Sequence, residues 1–274
     1  MIKMSTRITI SYAMPVFIFV AFSLSWVFLQ AFDVTVVREA RLIWSTTYQI
    51  MALYGVIVGI LISYKWGGHR SILGKAILAF SVGLFLQCFG QGYSSYYVYR
   101  YAAESPSYPG IGDIGFFGSV LAYIYGVFLM YNVSGARFSL KGIQHKIWAF
   151  LVPALMLLFS YAFFLQNYTF DFTDNLKIFL DFGYPFGQAL YVSIALLVLL
   201  SSRKFLGGLM KRPILFLISA LIFQYISDFM FLYQANNGTF IVAGTNDYSY
   251  CVSYFLMTIG LVYLGNAFNK IKAG

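Results

Sequence analysis

The sequence predicts an all-α fold, a polytopic integral membrane bundle of about eight transmembrane helices. Composition, window length and the lack of strand-like alternation carry that expectation. Of 274 residues, 60% are hydrophobic, 20% aromatic and 10% charged. A soluble domain ordinarily has roughly 25% charged residues. Windows of about 20 residues without Lys or Arg recur along the chain, the length in which a helix crosses the hydrocarbon core. A closed barrel would also satisfy its backbone in lipid, but its strands alternate apolar and polar residues; runs such as SIALLVLL do not.

The first span, 8–32, follows Lys3 and Arg7. Its apolar run is too long for a secretory leader and no small-residue cleavage site follows. The second, 42–64, lies between Arg41 and Lys65, and the third, 76–99, between Lys75 and Arg100. The fourth, 113–133, starts at Asp113; the fifth, 147–166, follows Lys146; the sixth, 178–200, follows Lys177. The seventh, 213–233, follows Arg212, and the eighth, 248–267, follows Asp247. The connections are short, so residues 1–274 read as a single membrane domain.

A net charge of +9 would suggest nucleic acid for a soluble protein; here its distribution speaks of topology, and no nucleic-acid partner is expected. With the N-terminus in the cytoplasm, fourteen of the eighteen basic residues fall in inner segments. Arg38, Arg41, Arg100 and Lys177 are left outside, and such a bias sets orientation. Both termini are expected in the cytoplasm. All nine acids fall outside or in outer helix turns, so the outer face is expected to be acidic.

Spacing implies an internal repeat. Gln87 and Gln91 stand to the third span as Gln224 and Asp228 stand to the seventh; Gly126 and Asn132 follow Asp113 at the offsets, 13 and 19, at which Gly260 and Asn266 follow Asp247. The expected halves are 8–133 and 147–267, in a parallel four-plus-four arrangement.

Four carboxylates reach one membrane depth in this topology: Asp113, Asp181, Asp228 and Asp247. Residues three, four and seven apart share a helix face, which groups Asp181, Tyr184, Gln188 and Tyr191, and likewise Asp247, Tyr250, Cys251, Tyr254 and Thr258. A carboxylate facing lipid costs roughly 2.5–3.5 kcal/mol, so these stripes should point inward. Uncharged amides such as Gln87, Gln188 and Gln224 commonly bond between helices, at about 0.6 kcal/mol each. Asp113 and Asp247 could instead cap helix N-termini. Asp181 and Asp228 either line a cavity or pair with Arg100, Lys177 or a tyrosine. The candidate ligand-binding set is therefore Gln91, Asp113, Asp181, Tyr184, Gln188, Gln224, Asp228 and Asp247.

His69 and His145 both lie in cytoplasmic loops, which argues against a bis-histidine haem or a His-rich zinc site. Cys88 and Cys251 sit within spans, with no disulfide framework. No phosphate loop or HExxH motif occurs, no lysine lies deep in a late helix, and no catalytic set, metal or cofactor is expected. NYT at Asn167 and NGT at Asn237 match glycosylation triplets.

SPSYPGIGDIGFFGSVLAYIYGVFLM, LDFGYPFGQALYVSIALLVL and ISDFMFLYQANNGTFIVAGTNDYSYCVSYFLMTIGLVYL occur in that order. Together they resemble segments of the multi-helix membrane sensor domains that precede bacterial diguanylate cyclases and histidine kinases, over residues 76–267. The resemblance implies motif roles for Asp113, Tyr184, Pro185, Gly187, Asp228, Gly238, Thr239 and Asp247. Gln188 stands where the group has an acid, and a kinase or cyclase output domain is not expected in this chain.

The resemblance and the outward-facing acids together lead to the expectation of a non-enzymatic sensor or ligand-binding subunit, and four acids with aromatic neighbours would suit a small cationic or polar ligand from outside. It would act through a protein partner or as a homo-oligomer in the lipid bilayer. A structural subunit of a membrane assembly and a cation- or proton-coupled transporter are the alternatives, followed by an enzyme using Asp181 and Asp228 as acid and base.

Overall fold

The computed structural model describes residues 11–101, 103, 106–134, 143–162, 168, 170–201 and 208–273. Lys3, Arg7, Glu104, Arg137, Lys141, Asn167, Arg203 and Lys204 lie outside the described residues. The protein is an all-α bundle with no strand among the described residues. Seven of its helices are long and apolar enough to cross a membrane.

Helix α1 covers Ala13–Gln30. Its flank is apolar nearly all round, with Phe17 and Leu24 exposed by 70% and 67%, as suits a surface solvated by lipid. The second span is two pieces, α2 (Arg38–Thr47) and α3 (Ile50–Lys65), joined at the buried Tyr48. A 3₁₀ turn, Gly68–Arg70, leads to α4, Ile72–Tyr101. Then come α5 (Gly112–Ser134), α6 (Ile143–Ser160), α7 (Asn175–Ser201), α8 (Lys211–Asn236) and α9 (Thr245–Ala273). The expected fifth span, 147–166, corresponds to α6, and its residues 163–166 lie outside the described residues.

The most extensive packing joins α4 to α5 and α8 to α9. The two hairpins are tied crosswise, because α5 also packs on α7 while α9 packs on α3. Gly115 permits the first hairpin. A Cβ there would lie 2.4 Å from the Leu86 carbonyl oxygen and 2.6 Å from the Gly90 nitrogen, so the α4 and α5 backbones touch as small residues in membrane helices allow. At the end of α8, Gly238 takes φ +63°, and the next amide, Thr239 N–H, returns to the Gln234 carbonyl at 2.9 Å. Glycine adopts this left-handed conformation without the Cβ penalty.

An aromatic column runs through the interior. Trp44 stacks on Tyr48 at 5.1 Å between ring centroids, Tyr48 on Tyr254 at 6.0 Å, Tyr254 on Tyr250 at 6.1 Å and Tyr250 on Phe116 at 6.2 Å. Such pairs add about 0.5–1.5 kcal/mol each beyond the area they bury. The column leads from α2 through α9 to α5, ending beside the acids.

Candidate functional site

Asp228, on α8, is 4% exposed and receives donors from three directions. Gln188 Nε2 on α7 donates to Oδ2 at 2.5 Å, while Gln224 Nε2, one turn earlier on α8, and Tyr250 OH on α9 donate to Oδ1 at 3.1 and 2.5 Å. Ser253 Oγ in turn donates to Gln224 Oε1 at 3.2 Å. The i, i+4 spacing of Gln224 and Asp228 is what lets the amide fold onto its neighbour. A buried carboxylate is tolerated when its lone pairs are filled in this way.

Asp113 and Asp181 follow the same pattern. Tyr184 OH donates to Asp113 Oδ1 at 2.8 Å and the Gly110 amide to Oδ2 at 2.8 Å. The Asp113 amide returns to the Gly110 carbonyl at 3.0 Å, so this carboxylate reaches backwards like the acidic half of a capping box. Asp181 accepts from Tyr108 OH at 2.5 Å and Tyr168 OH at 2.8 Å. Tyr108 belongs to the connection before α5, where burial, followed by the nearby Asp181 carboxylate, raises its phenol far above the ordinary range. The phenol therefore stays a donor.

Asp113, Asp228, Tyr184, Tyr250, Tyr108, Phe116, Phe231 and Leu232 line one cavity of about 10 Å³. That is space for about one water molecule. Asp181 joins it through Tyr108, whose ring meets Phe231 edge-on at 6.2 Å. Tyr108 thus closes one side of the cavity.

Of the eight residues expected to form the site, Asp113, Asp181, Tyr184, Gln188, Gln224 and Asp228 come together here. Asp247 does not join this network. Its Oδ2 accepts from the Ala243 amide at 2.8 Å, again reaching backwards. Gln91 is buried and bonds to none of the acids among the described residues; Gln87 instead bridges Ser119 Oγ at 2.6 Å and Tyr254 OH at 3.1 Å. The partners of Asp181 and Asp228 are phenols and amides rather than Arg100 or Lys177. Among the described residues the one ion pair is Arg38 with Glu39, at 3.9 Å.

Tyr108, Tyr168 and Phe231 are site residues that spacing does not reveal. The two tyrosines lie in connections with no helical register, and Phe231 is one of 29 phenylalanines. No cluster of three or more His, Cys, Asp or Glu suited to a metal ion occurs among the described residues.

Fold and site define a polytopic helical membrane protein with a closed core of acids, phenols and amides. No family model, curated protein or solved structure matches the chain.

Proposed function

We propose that the protein is a non-enzymatic membrane sensor or ligand-binding subunit whose site is the cavity beneath Tyr108. The supporting observation is a charge imbalance. Asp113 and Asp228 share the cavity and Asp181 adjoins it, yet only neutral groups hold them. Among the described residues none of the three has an ion-pair partner, and Asp181 feels Lys177 only from beyond that distance; such a set favours a small cation, and tyrosine faces add about 0.5–2 kcal/mol of cation attraction. An ammonium-bearing or polyhydroxylated ligand would enter by lifting the Tyr108 connection, and the signal would pass to a protein partner or a second copy.

The likeness to sensor domains that precede cyclases and kinases is part of this reading. So is the topology in which the basic loops face the cytoplasm and the acids face out. Two matching features support the four-plus-four repeat. The crosswise packing of the hairpins is one. The other is an Asp-x-Thr turn in each half: Thr35 donates to Asp33 through its amide at 2.9 Å and its hydroxyl at 2.6 Å, as Thr173 does to Asp171 at 3.0 and 2.6 Å.

A structural subunit of a membrane assembly is the second reading, favoured by the small cavity and the satisfied carboxylates. Native mass spectrometry of protein extracted gently from its own membranes separates the two. A small molecule retained by the wild type and lost from Asp228→Asn is the expected result. Stoichiometric protein companions without a small molecule would favour the structural role.

A further inference from the structure

We propose a second binding site, of opposite charge, in the cavity between α2, the end of α4 and residues 240–242. It takes a carboxylate or phosphate group that carries an apolar body.

The cavity measures about 270 Å³, close to the lower end of small-ligand pockets at about 300 Å³. Arg38 and Arg41, three residues apart on one face of α2, line it together with Val98, Phe240, Ile241 and Val242. No acid lines it. Arg41 is 3% exposed, and its guanidinium is held entirely by neutral acceptors. One terminal nitrogen donates to the Val242 and Ala243 carbonyls, each at 3.4 Å. The other reaches the Leu29 carbonyl at 3.0 Å and Gln30 Oε1 at 3.3 Å, while Nε has no hydrogen-bond partner among the described residues.

A buried arginine normally has a carboxylate beside it, because an unpaired charge is costly away from water. Among the described residues no carboxylate comes within ion-pair distance of Arg41. Asp33 is near enough to be influenced by it but spends Oδ1 on Thr35. Arg38 is half exposed, and its single pairing with Glu39 is long. Two cations in the wall of a mostly apolar cavity match an anionic head with a hydrocarbon tail. An anionic lipid or a water-soluble amphiphilic anion would supply it equally well.

The test uses full-length protein in neutral detergent, with octanoate as probe and octanol as the uncharged control. Octanoate should raise the unfolding temperature saturably and octanol should not. Arg38→Gln should move the octanoate midpoint about tenfold or more higher, as loss of a charged hydrogen bond does. Ile241→Trp, which fills the cavity and leaves both arginines, should abolish the response. These variants spare Arg41, whose loss could unfold the junction it ties. Asp228→Asn should respond like the wild type, which separates this site from the acidic one.

Nanodiscs of phosphatidylcholine with or without phosphatidylglycerol identify the source. A stabilisation by phosphatidylglycerol that removes the octanoate effect assigns the site to lipid. An octanoate effect unchanged by phosphatidylglycerol assigns it to a soluble anion. Equal responses to octanol and octanoate, or wild-type behaviour in both Arg38→Gln and Ile241→Trp, would overturn the proposal. So would a response seen only in Glu104→Gln, because a carboxylate of the chain itself would then hold the site.

Discussion

Gln188 on α7 donates through Nε2 to Oδ2 of Asp228 on α8, which makes a neutral amide the partner of a fully buried acid. Gln188 also stands where the sensor domains that the chain resembles have an acid. Gln188→Glu would set two carboxylates against each other, and such pairs ionise together only at high cost. The variant should unfold more readily at neutral pH and recover as acid lets the pair share a proton. Gln188→Leu removes one donor to a charged group and should cost about 1.5–3 kcal/mol at neutral pH. Thermal unfolding at pH 5 and pH 7.5 distinguishes the two. A Gln188→Glu protein whose stability deficit is equal at both pH values would refute this account.

Tyr108 supplies a pH dependence. An unfolded tyrosine ionises near about pH 10, whereas burial and Asp181 raise the folded value. The Tyr108–Asp181 contribution is therefore whole below pH 10 and declines above it, because the unfolded chain sheds a proton that the folded one keeps. Tyr108→Phe should be less stable than wild type at pH 8, and the gap should narrow by pH 11. A constant gap would show that this phenol is not the group responsible.

Ala243 is fully buried at φ +52°. Alanine already carries the left-handed penalty of about 1–2 kcal/mol; a β-branched side chain fits that region less well still, and overpacking the buried site adds about 1–3 kcal/mol. Ala243→Val should therefore lose about 2 kcal/mol or more, while Ala243→Gly should remain close to wild type. Equal unfolding temperatures for the two variants would contradict the conformation found here.

Gly115 and Gly118 differ although both lie on α5. A Cβ at Gly115 meets the α4 backbone at 2.4 Å, while one at Gly118 finds the Leu86 side chain at an ordinary 3.5 Å. Gly115→Ala should destabilise by about 1–3 kcal/mol. Gly118→Ala should be neutral or gain up to about 1 kcal/mol from helix propensity. Chemical unfolding in mixed micelles would measure both; the reverse order would mean that the hairpin crosses elsewhere.

The class of fold was legible because lipid writes itself into composition. Helix ends were less so: the third span, expected at 76–99, is the helix Ile72–Tyr101, and the eighth, expected at 248–267, is Thr245–Ala273. Apolar windows measure the hydrocarbon core, whereas backbone hydrogen bonds carry a helix past it through charged turns such as the one holding Lys270 and Lys272. The acids of the site could be read from the energetic oddity of their positions. Their partners Tyr108 and Tyr168 could not, since which loop folds over which helix is a property of the assembled bundle. Asp247 shared its offsets with Asp113 but not its surroundings, as Asp113 faces Tyr184 across the bundle while Asp247 turns back to its own loop.

The carbonyl of Ala243 accepts from Trp26 Nε1 at 3.0 Å, Gln30 Nε2 at 3.1 Å and Arg41 at 3.4 Å. Trp26 and Ala243 are 217 positions apart in the chain. The bonds that fasten α1 to residue 243 therefore form only after the 217 positions between Trp26 and Ala243 have been made, and until then α1 is held from α2, through Trp44 and Arg41. Assembly closes from the α8–α9 hairpin back to α1, and a nascent chain arrested before residue 243 should leave α1 half-fastened and more open to capture by other membrane proteins or to proteolysis.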